Sequence, residues 1–178
     1  MSTAQYKHLY AWFAAHPMAC RAVLLLDRWL PAVVFVAYPV LLVLLNLRLG
    51  RLLLAGEGAA ALAWMQRIAR AILVPGITFW LGTVLRRRLN RPRPYEQPGF
   101  VPLAVREGKG CSFPSRHALS AAVLAAVWLW FYPAAGRAMV ALAVAICALR
   151  VLTGVHYVRD VAAGAALGFA LGLAGMWL

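Results

Sequence analysis

Residues 118–136 read ALSAAVLAAVWLWFYPAAG and contain no charged side chain. An α-helix needs about 20 consecutive apolar residues to cross the hydrocarbon core of a bilayer. Three further uncharged runs of comparable length lie at residues 29–46, 71–85 and 161–178. We expect each of these four runs to form a transmembrane helix.

A fifth transmembrane helix is predicted from residues 138–149. This run is too short to span alone, but it crosses the bilayer if the helix continues toward Gly154 and carries Arg150 within it. A charge inside a span marks a functional site by default, whereas an arginine near a helix end also extends to the interface. Residues 4–24 mix basic and aromatic side chains, which predicts an amphipathic helix at the membrane interface.

The composition agrees with a membrane protein of one domain. The chain has 178 residues, of which 64% are hydrophobic, against roughly 45–50% in ordinary soluble domains. Its mean hydropathy is +0.76. We therefore predict an all-α integral membrane bundle, with five transmembrane helices plus the N-terminal interfacial helix, in which residues 1–178 form a single domain.

The net charge of +13 restricts the partners. Basic patches bind nucleic acid, but the arginines here lie at the ends of apolar runs, so nucleic acid is not the expected partner. Anionic lipid headgroups or a phosphorylated substrate fit better. The three cysteines, Cys20, Cys111 and Cys147, lack CxxC spacing and predict buried thiols rather than a disulfide framework or a zinc site.

One long polar loop, about residues 86–116, separates the second and third spans, and its five prolines argue against a continuous helix. Ser115 precedes an apolar run and is a candidate N-cap, which puts His117 in the first turn of the third span. Five successive crossings bring this loop to the same membrane face as Arg150 and as His156. The topology alone thus predicts that these segments meet.

The side chains that converge on this face are of the types that bind a phosphate group and cleave a phosphate ester. Guanidinium groups bind phosphate oxygens bidentately, and a helix N-terminus favours an anion. Two histidines supply a nucleophile and a proton donor, while Asp160, one helical turn after His156, can orient its ring. Each feature also has a structural explanation alone: a basic helix end, a polar cap or a structural hydrogen bond. The candidate residues are Arg86, Arg93, Ser115, His117, Arg150, His156 and Asp160.

The spacing of these residues resembles a known signature. The pattern is Arg86-x6-Arg93-Pro94, then Pro114-Ser115-Arg116-His117, then Arg150-x5-His156-x3-Asp160. It resembles the three-part signature of the type 2 phosphatidic acid phosphatase superfamily, membrane lipid phosphatases related to vanadium-dependent haloperoxidases.

The resemblance implies a role for each residue. His156 would be the nucleophile that forms a phosphohistidine, Asp160 its partner, and His117 the general acid to the leaving group. The phosphoryl oxygens would be held by Arg86, Arg93, Arg150 and Ser115, the last partly through its backbone. The resemblance implies no metal and no cofactor, because the arginines provide the electrostatic stabilisation.

Three positions depart from the family pattern. Arg86 stands where the family usually has lysine, Arg116 replaces the usual glycine before His117, and Leu149 replaces the usual serine before Arg150. Arg116 thereby becomes an additional candidate contact to the substrate. None of the departures removes a nucleophile, an acid or a charge partner, so we expect activity.

The resemblance favours a polyprenyl diphosphate, such as undecaprenyl diphosphate, as the substrate. It also implies a bacterial plasma membrane and an outward-facing site. The positive-inside rule favours the opposite orientation, with a cytoplasmic site, because Lys and Arg are more numerous on the active-site side. Phosphatidic acid or phosphatidylglycerophosphate is the alternative substrate class, and a non-catalytic protein that binds anionic lipids is the alternative of another kind. Gly164, Gly168 and Gly172 form overlapping GxxxG patterns that favour packing within the chain, and a homodimer stays open.

Overall fold

The computed structural model describes residues 3–104 and 107–178. In this part of the chain every regular element is a helix, and a short 3-10 turn at Pro94–Glu96 lies in the long loop. The α-helices are α1 (Thr3–Ala15), α2 (Pro17–Leu54), α3 (Gly58–Leu89), α4 (Arg116–Phe131), α5 (Pro133–Leu152) and α6 (Val158–Trp177).

The helices form a membrane bundle around α4. Four of them, α2, α3, α5 and α6, are long and apolar enough to cross a membrane. Helix α4 has 16 residues, so it is only about 24 Å long. Every residue from Ala118 to Trp128 is buried, which makes α4 the central helix of the bundle. The predicted all-α membrane fold is therefore confirmed.

Two predicted helix boundaries are wrong because of proline. The third span ends at Phe131 rather than Gly136, since Pro133 has no amide hydrogen to continue α4 and instead begins α5. The predicted interfacial helix over residues 4–24 breaks at His16. Pro17 then begins α2, which runs without interruption to Leu54 and so includes residues 17–24.

Helix α1 is attached to the loops at the polar end of the bundle through Tyr6. The Tyr6 ring stacks on Phe100, with 4.3 Å between ring centroids, and its hydroxyl accepts a hydrogen bond from the Leu103 amide at 3.0 Å. The same hydroxyl donates to the Leu152 carbonyl at 3.3 Å. It also lies against Gly154, whose φ of +73° suits glycine in the turn after α5.

Glycines allow α6 to lie against α4. A Cβ atom added at Gly164 would lie 2.5 Å from the Ser115 carbonyl oxygen, and one added at Gly168 would overlap the Leu119 carbonyl. Small residues permit such close backbone approach between membrane helices. The GxxxG pattern of α6 therefore packs within the chain, as predicted.

The Gly168→Ala substitution tests this contact. We expect it to destabilise the purified protein by about 1–3 kcal/mol, because the added methyl group meets backbone that cannot move independently. Thermal unfolding in detergent, followed by circular dichroism, measures the change. Gly76→Ala in α3 is the matched control, since nothing lies within 4 Å of its Cβ position and helix propensity alone favours alanine. Equal midpoints for the two variants would contradict the close packing of α4 and α6.

Candidate active site

A cavity of about 270 Å³ opens at the polar end of the bundle. Four helices and two loops contribute to its wall, and most of its polar side chains are basic. The lining residues are Asp27, Arg28, Pro31, Arg86, Arg93, Arg116, His117, Arg150, Val155 and His156. Five of the seven candidate residues, and Arg116 in addition, thus reach one cavity.

Several of the candidate side chains lie at the ends of helices. Arg86 lies in the last turn of α3, which ends three residues later at Leu89. His117 is the second residue of α4, and Arg150 lies in the last turn of α5. The turn after α5 folds back, so that the amides of Val155 and His156 both donate to the Arg150 carbonyl, at 3.2 and 3.1 Å.

His156 is connected to Asp160 through a third residue, Ser112. The Ser112 hydroxyl donates to Asp160 Oδ2 at 2.5 Å and lies 3.4 Å from His156 Nδ1. The direct distance from His156 Nδ1 to Asp160 Oδ2 is 3.7 Å, which is too long for a hydrogen bond. All three residues are buried. The expected contact between His156 and Asp160 is therefore made mainly by way of Ser112.

Asp160 also organises the start of α6. Its Oδ2 atom accepts a hydrogen bond from the Tyr157 amide at 3.1 Å, one helical turn earlier. A carboxylate at this position stabilises the positive end of a helix. Asp160 therefore caps α6 and supports Ser112 and His156 with the same oxygen atom.

Ser115 lies at the predicted start of α4. Ser115 is the N-cap residue of α4, but its side chain makes no capping hydrogen bond. Its amide donates to the Asp160 carbonyl at 2.9 Å, so this backbone group already has a partner other than a phosphate. Ser115 does not line the cavity and instead joins the beginnings of α4 and α6.

Glu96 holds the long loop in place beside the cavity. Its Oε1 atom accepts hydrogen bonds from the Arg93 amide at 2.9 Å and from the Gly110 amide at 2.7 Å. Arg93 Nε in turn donates to the Gly110 carbonyl at 3.0 Å. The Ser112 amide donates to the Arg91 carbonyl at 2.8 Å. The two ends of the loop are thereby fixed together, with Arg93 on one and Ser112 on the other.

Arg150 is buried against Asp27 of α2. Its Nε and Nη1 atoms lie 3.4 Å from the two carboxylate oxygens of Asp27, and Nη2 lies 3.3 Å from the Asp27 carbonyl. Arg150 is 4% exposed and Asp27 is 2% exposed. A buried guanidinium needs such a partner, because an isolated buried charge is very costly.

The electrostatic environment favours a neutral His156. Burial lowers the pKa of its imidazole below the ordinary value, and the positive charges of Arg93 and Arg86 lower it further. Asp160 opposes this change. The ring consequently keeps a lone pair at neutral pH, as a nucleophile requires.

Sequence reasoning missed Asp27 and Ser112. Asp27 is one of only five acidic residues, and it borders an apolar run, which is the signal that could have identified it. Ser112 lies in a loop whose path the sequence does not determine. The prediction of buried thiols is also wrong, since Cys20, Cys111 and Cys147 are each partly exposed.

Replacing Asp27 with asparagine should destabilise the fold. The substitution leaves the buried Arg150 charge without its counter-ion, and breaking a buried pair costs about 3–5 kcal/mol when one partner is removed. The thermal midpoint in detergent should fall clearly below that of the unmodified protein. Glu57→Gln, at an exposed acidic residue between α2 and α3, is the control and should leave the midpoint unchanged. A midpoint unaffected by Asp27→Asn would show that the pair does not support Arg150.

Comparison with known proteins identifies the family of this chain. The family model of the PAP2 superfamily matches residues 67–178, which contain all three parts of the signature. The crystal structure of LpxE from Aquifex aeolicus is similar in fold, with a TM-score of 0.57 and 23% sequence identity over 79% of this chain and 87% of LpxE.

A second solved structure is a transmembrane PAP2-type phosphatidylglycerolphosphate phosphatase from Bacillus subtilis. It has a TM-score of 0.48 and 26% identity over 97% of this chain and 90% of its own. No curated protein sequence is significantly similar to this chain. From the match over more than half of its residues, the chain belongs to the PAP2 superfamily and is an integral membrane lipid phosphatase.

Proposed function

We propose that the protein removes a phosphate from a polyprenyl diphosphate, such as undecaprenyl diphosphate, through a phosphohistidine intermediate. The observation that supports this proposal most directly is the buried chain His156–Ser112–Asp160 at the wall of a cavity lined by arginines. Binding of an anionic lipid needs arginines, but it needs no histidine connected to a carboxylate.

The hydrogen-bond chain gives His156 the form that a nucleophile needs. If Ser112 donates to Asp160, then His156 Nδ1 carries a proton and donates to the Ser112 oxygen. The lone pair is then on Nε2. Asp160 stabilises the positive charge that the ring acquires as it attacks.

The reaction proceeds in two steps. Nε2 of His156 attacks phosphorus and forms an N–P bond, while the bond from phosphorus to the leaving oxygen breaks and His117 gives that oxygen a proton. Water then attacks the phosphohistidine, with His117 accepting its proton, and inorganic phosphate leaves as His156 is restored. The guanidinium groups of Arg86, Arg93 and Arg150 stabilise the transferring phosphoryl group in place of metal ions.

The site operates at a boundary between water and lipid. The cavity of about 270 Å³ accommodates a headgroup, and the apolar helices below it face the lipid that would hold the tail. We assign the protein to a bacterial plasma membrane with the site on its outer face, following the family resemblance.

His156→Ala tests the assignment of the nucleophile. We expect phosphate release from undecaprenyl diphosphate by the purified protein to fall at least about 1,000-fold, because no other group takes over the covalent step. The unmodified protein should keep its rate in EDTA, since the proposed mechanism uses no metal ion. With substrate labelled in its terminal phosphate, it should form an acid-labile phosphoprotein, as a phosphohistidine would be. His16→Ala, on the N-terminal side of α2, is the control. Equal phosphate release from His156→Ala and unmodified protein would favour the non-catalytic alternative.

Ser112→Ala tests the connection between His156 and Asp160. Losing a hydrogen bond to a charged group lowers the rate by about 10- to 100-fold, and we expect this decrease in kcat rather than in KM. Ser120→Ala is the matched control, because Ser120 is buried in α4 and does not line the cavity. Unchanged kcat for Ser112→Ala would mean that Asp160 acts on His156 directly.

The substrate itself is identified by product analysis. The panel contains undecaprenyl diphosphate, its monophosphate, phosphatidic acid and phosphatidylglycerophosphate, each presented in the same detergent. The proposal requires the highest kcat/KM for the polyprenyl diphosphate. A higher value for either glycerophospholipid would assign the protein to the alternative substrate class.

A further inference from the structure

Two arginines line the cavity in addition to those of the family signature. Arg28 is the residue after Asp27 in α2, and Arg116 is the first residue of α4. Both are exposed, whereas Arg150 is buried and Arg86 and Arg93 are partly buried. We propose that Arg28 and Arg116 form a second anion site at the mouth of the cavity, which binds the second phosphate of a diphosphate substrate. This inference rests on the proposed function.

The charges of the cavity support two separate sites. The three signature arginines and the Asp27 carboxylate together carry a net charge of +2. A phosphate group carries about −1.5 to −2 at pH 7, so this inner set is sufficient for one phosphoryl group. Arg28 and Arg116 add two positive charges that a single phosphate does not need. A second phosphate would match them.

Both outer arginines are held by aromatic rings rather than by acidic side chains. The guanidinium carbon of Arg116 lies 5.7 Å from the centroid of the Phe79 ring, and that of Arg28 lies 5.4 Å from the Trp29 ring. Such contacts orient a cation without neutralising it. Over residues 3–104 and 107–178, neither arginine forms a salt bridge with a carboxylate.

The outer site is adjacent to the inner one. Arg116 lines the same cavity as Arg86 and Arg93. Arg116 also directly precedes His117, the proposed proton donor to the leaving oxygen. In a diphosphate that leaving oxygen bridges the two phosphorus atoms, so the second phosphate necessarily follows next to His117. Arg116 lines the same cavity as His117, so it is available to that group.

The test compares farnesyl diphosphate with farnesyl monophosphate, which have the same tail. Unmodified protein, Arg116→Gly and Arg28→Gln are assayed in neutral detergent micelles. Arg116→Gly restores the residue usual in the family, and Arg116→Gln is included in case glycine weakens the start of α4. We expect each variant to reduce the ratio of kcat/KM for the diphosphate over the monophosphate by about 10-fold, the effect of one lost charged contact. Arg137→Gln, on the opposite face, should leave the ratio unchanged.

Competition provides a second readout. Inorganic pyrophosphate should inhibit the unmodified protein more strongly than inorganic phosphate, and Arg116→Gly should abolish that difference. An unchanged selectivity ratio and unchanged pyrophosphate inhibition in both variants would overturn the second site. The same variants are also assayed in vesicles that contain anionic lipid. If they lose activity only there, and equally toward both substrates, the second site is wrong, because the arginines would then bind bilayer headgroups.

These outcomes are separable from failure of the proposed function. If the unmodified protein and His156→Ala release phosphate equally from both farnesyl substrates, the phosphatase mechanism is wrong. If the unmodified protein hydrolyses both substrates through His156 while Arg28 and Arg116 do not affect the ratio, only the second site is wrong.

Discussion

The backbones of α4 and α6 are in contact, and this contact determines where the reactive groups lie. Hydrophobic attraction does not hold helices together in lipid, so close packing and backbone hydrogen bonds must do so. Gly164 and Gly168 remove the side chains that would separate the two helices, and the Ser115 amide joins their first turns at Asp160. His117 lies in the first turn of α4 and His156 lies two residues before α6, so the packing of small residues places both at one cavity.

A second constraint is the cost of burying charge at the membrane. Arg150 is tolerated inside the bundle because Asp27 contacts three of its nitrogen atoms. This pair connects α2 to the end of α5, although α2 lies outside the residues that match the family model. Helix α2 thus also contributes to the wall of the candidate site. Helix α2 begins at Pro17, ten residues before Asp27, and α1 precedes it in the chain. This arrangement brings Tyr6 of α1 to the turn that precedes His156.

The sequence predicts those parts of the fold that depend on local hydropathy and those parts of the site that depend on motif spacing. Apolar runs locate the five apolar helices, and alternation across the bilayer brings the three motifs to one face. Hydropathy does not predict the end of α4 at Phe131 or the break at His16. In both places a proline interrupts the backbone hydrogen bonds of the helix while changing the local hydropathy little. Motif spacing does not assign Asp27 or Ser112 to the site, since their partners, Arg150 and Asp160, are 123 and 48 residues away.

A cationic cavity makes particular demands on a histidine nucleophile. Guanidinium charges attract the phosphate, but they also disfavour a positive charge on His156, and burial acts in the same direction. In the proposed mechanism this keeps the free ring neutral and reactive. Once a phosphoryl group occupies the cavity, its negative charge offsets the arginines, so the ring can become positive as it attacks. Asp160, protected behind Ser112, then stabilises that charge. The substrate thereby supplies part of the electrostatic change that its own cleavage requires.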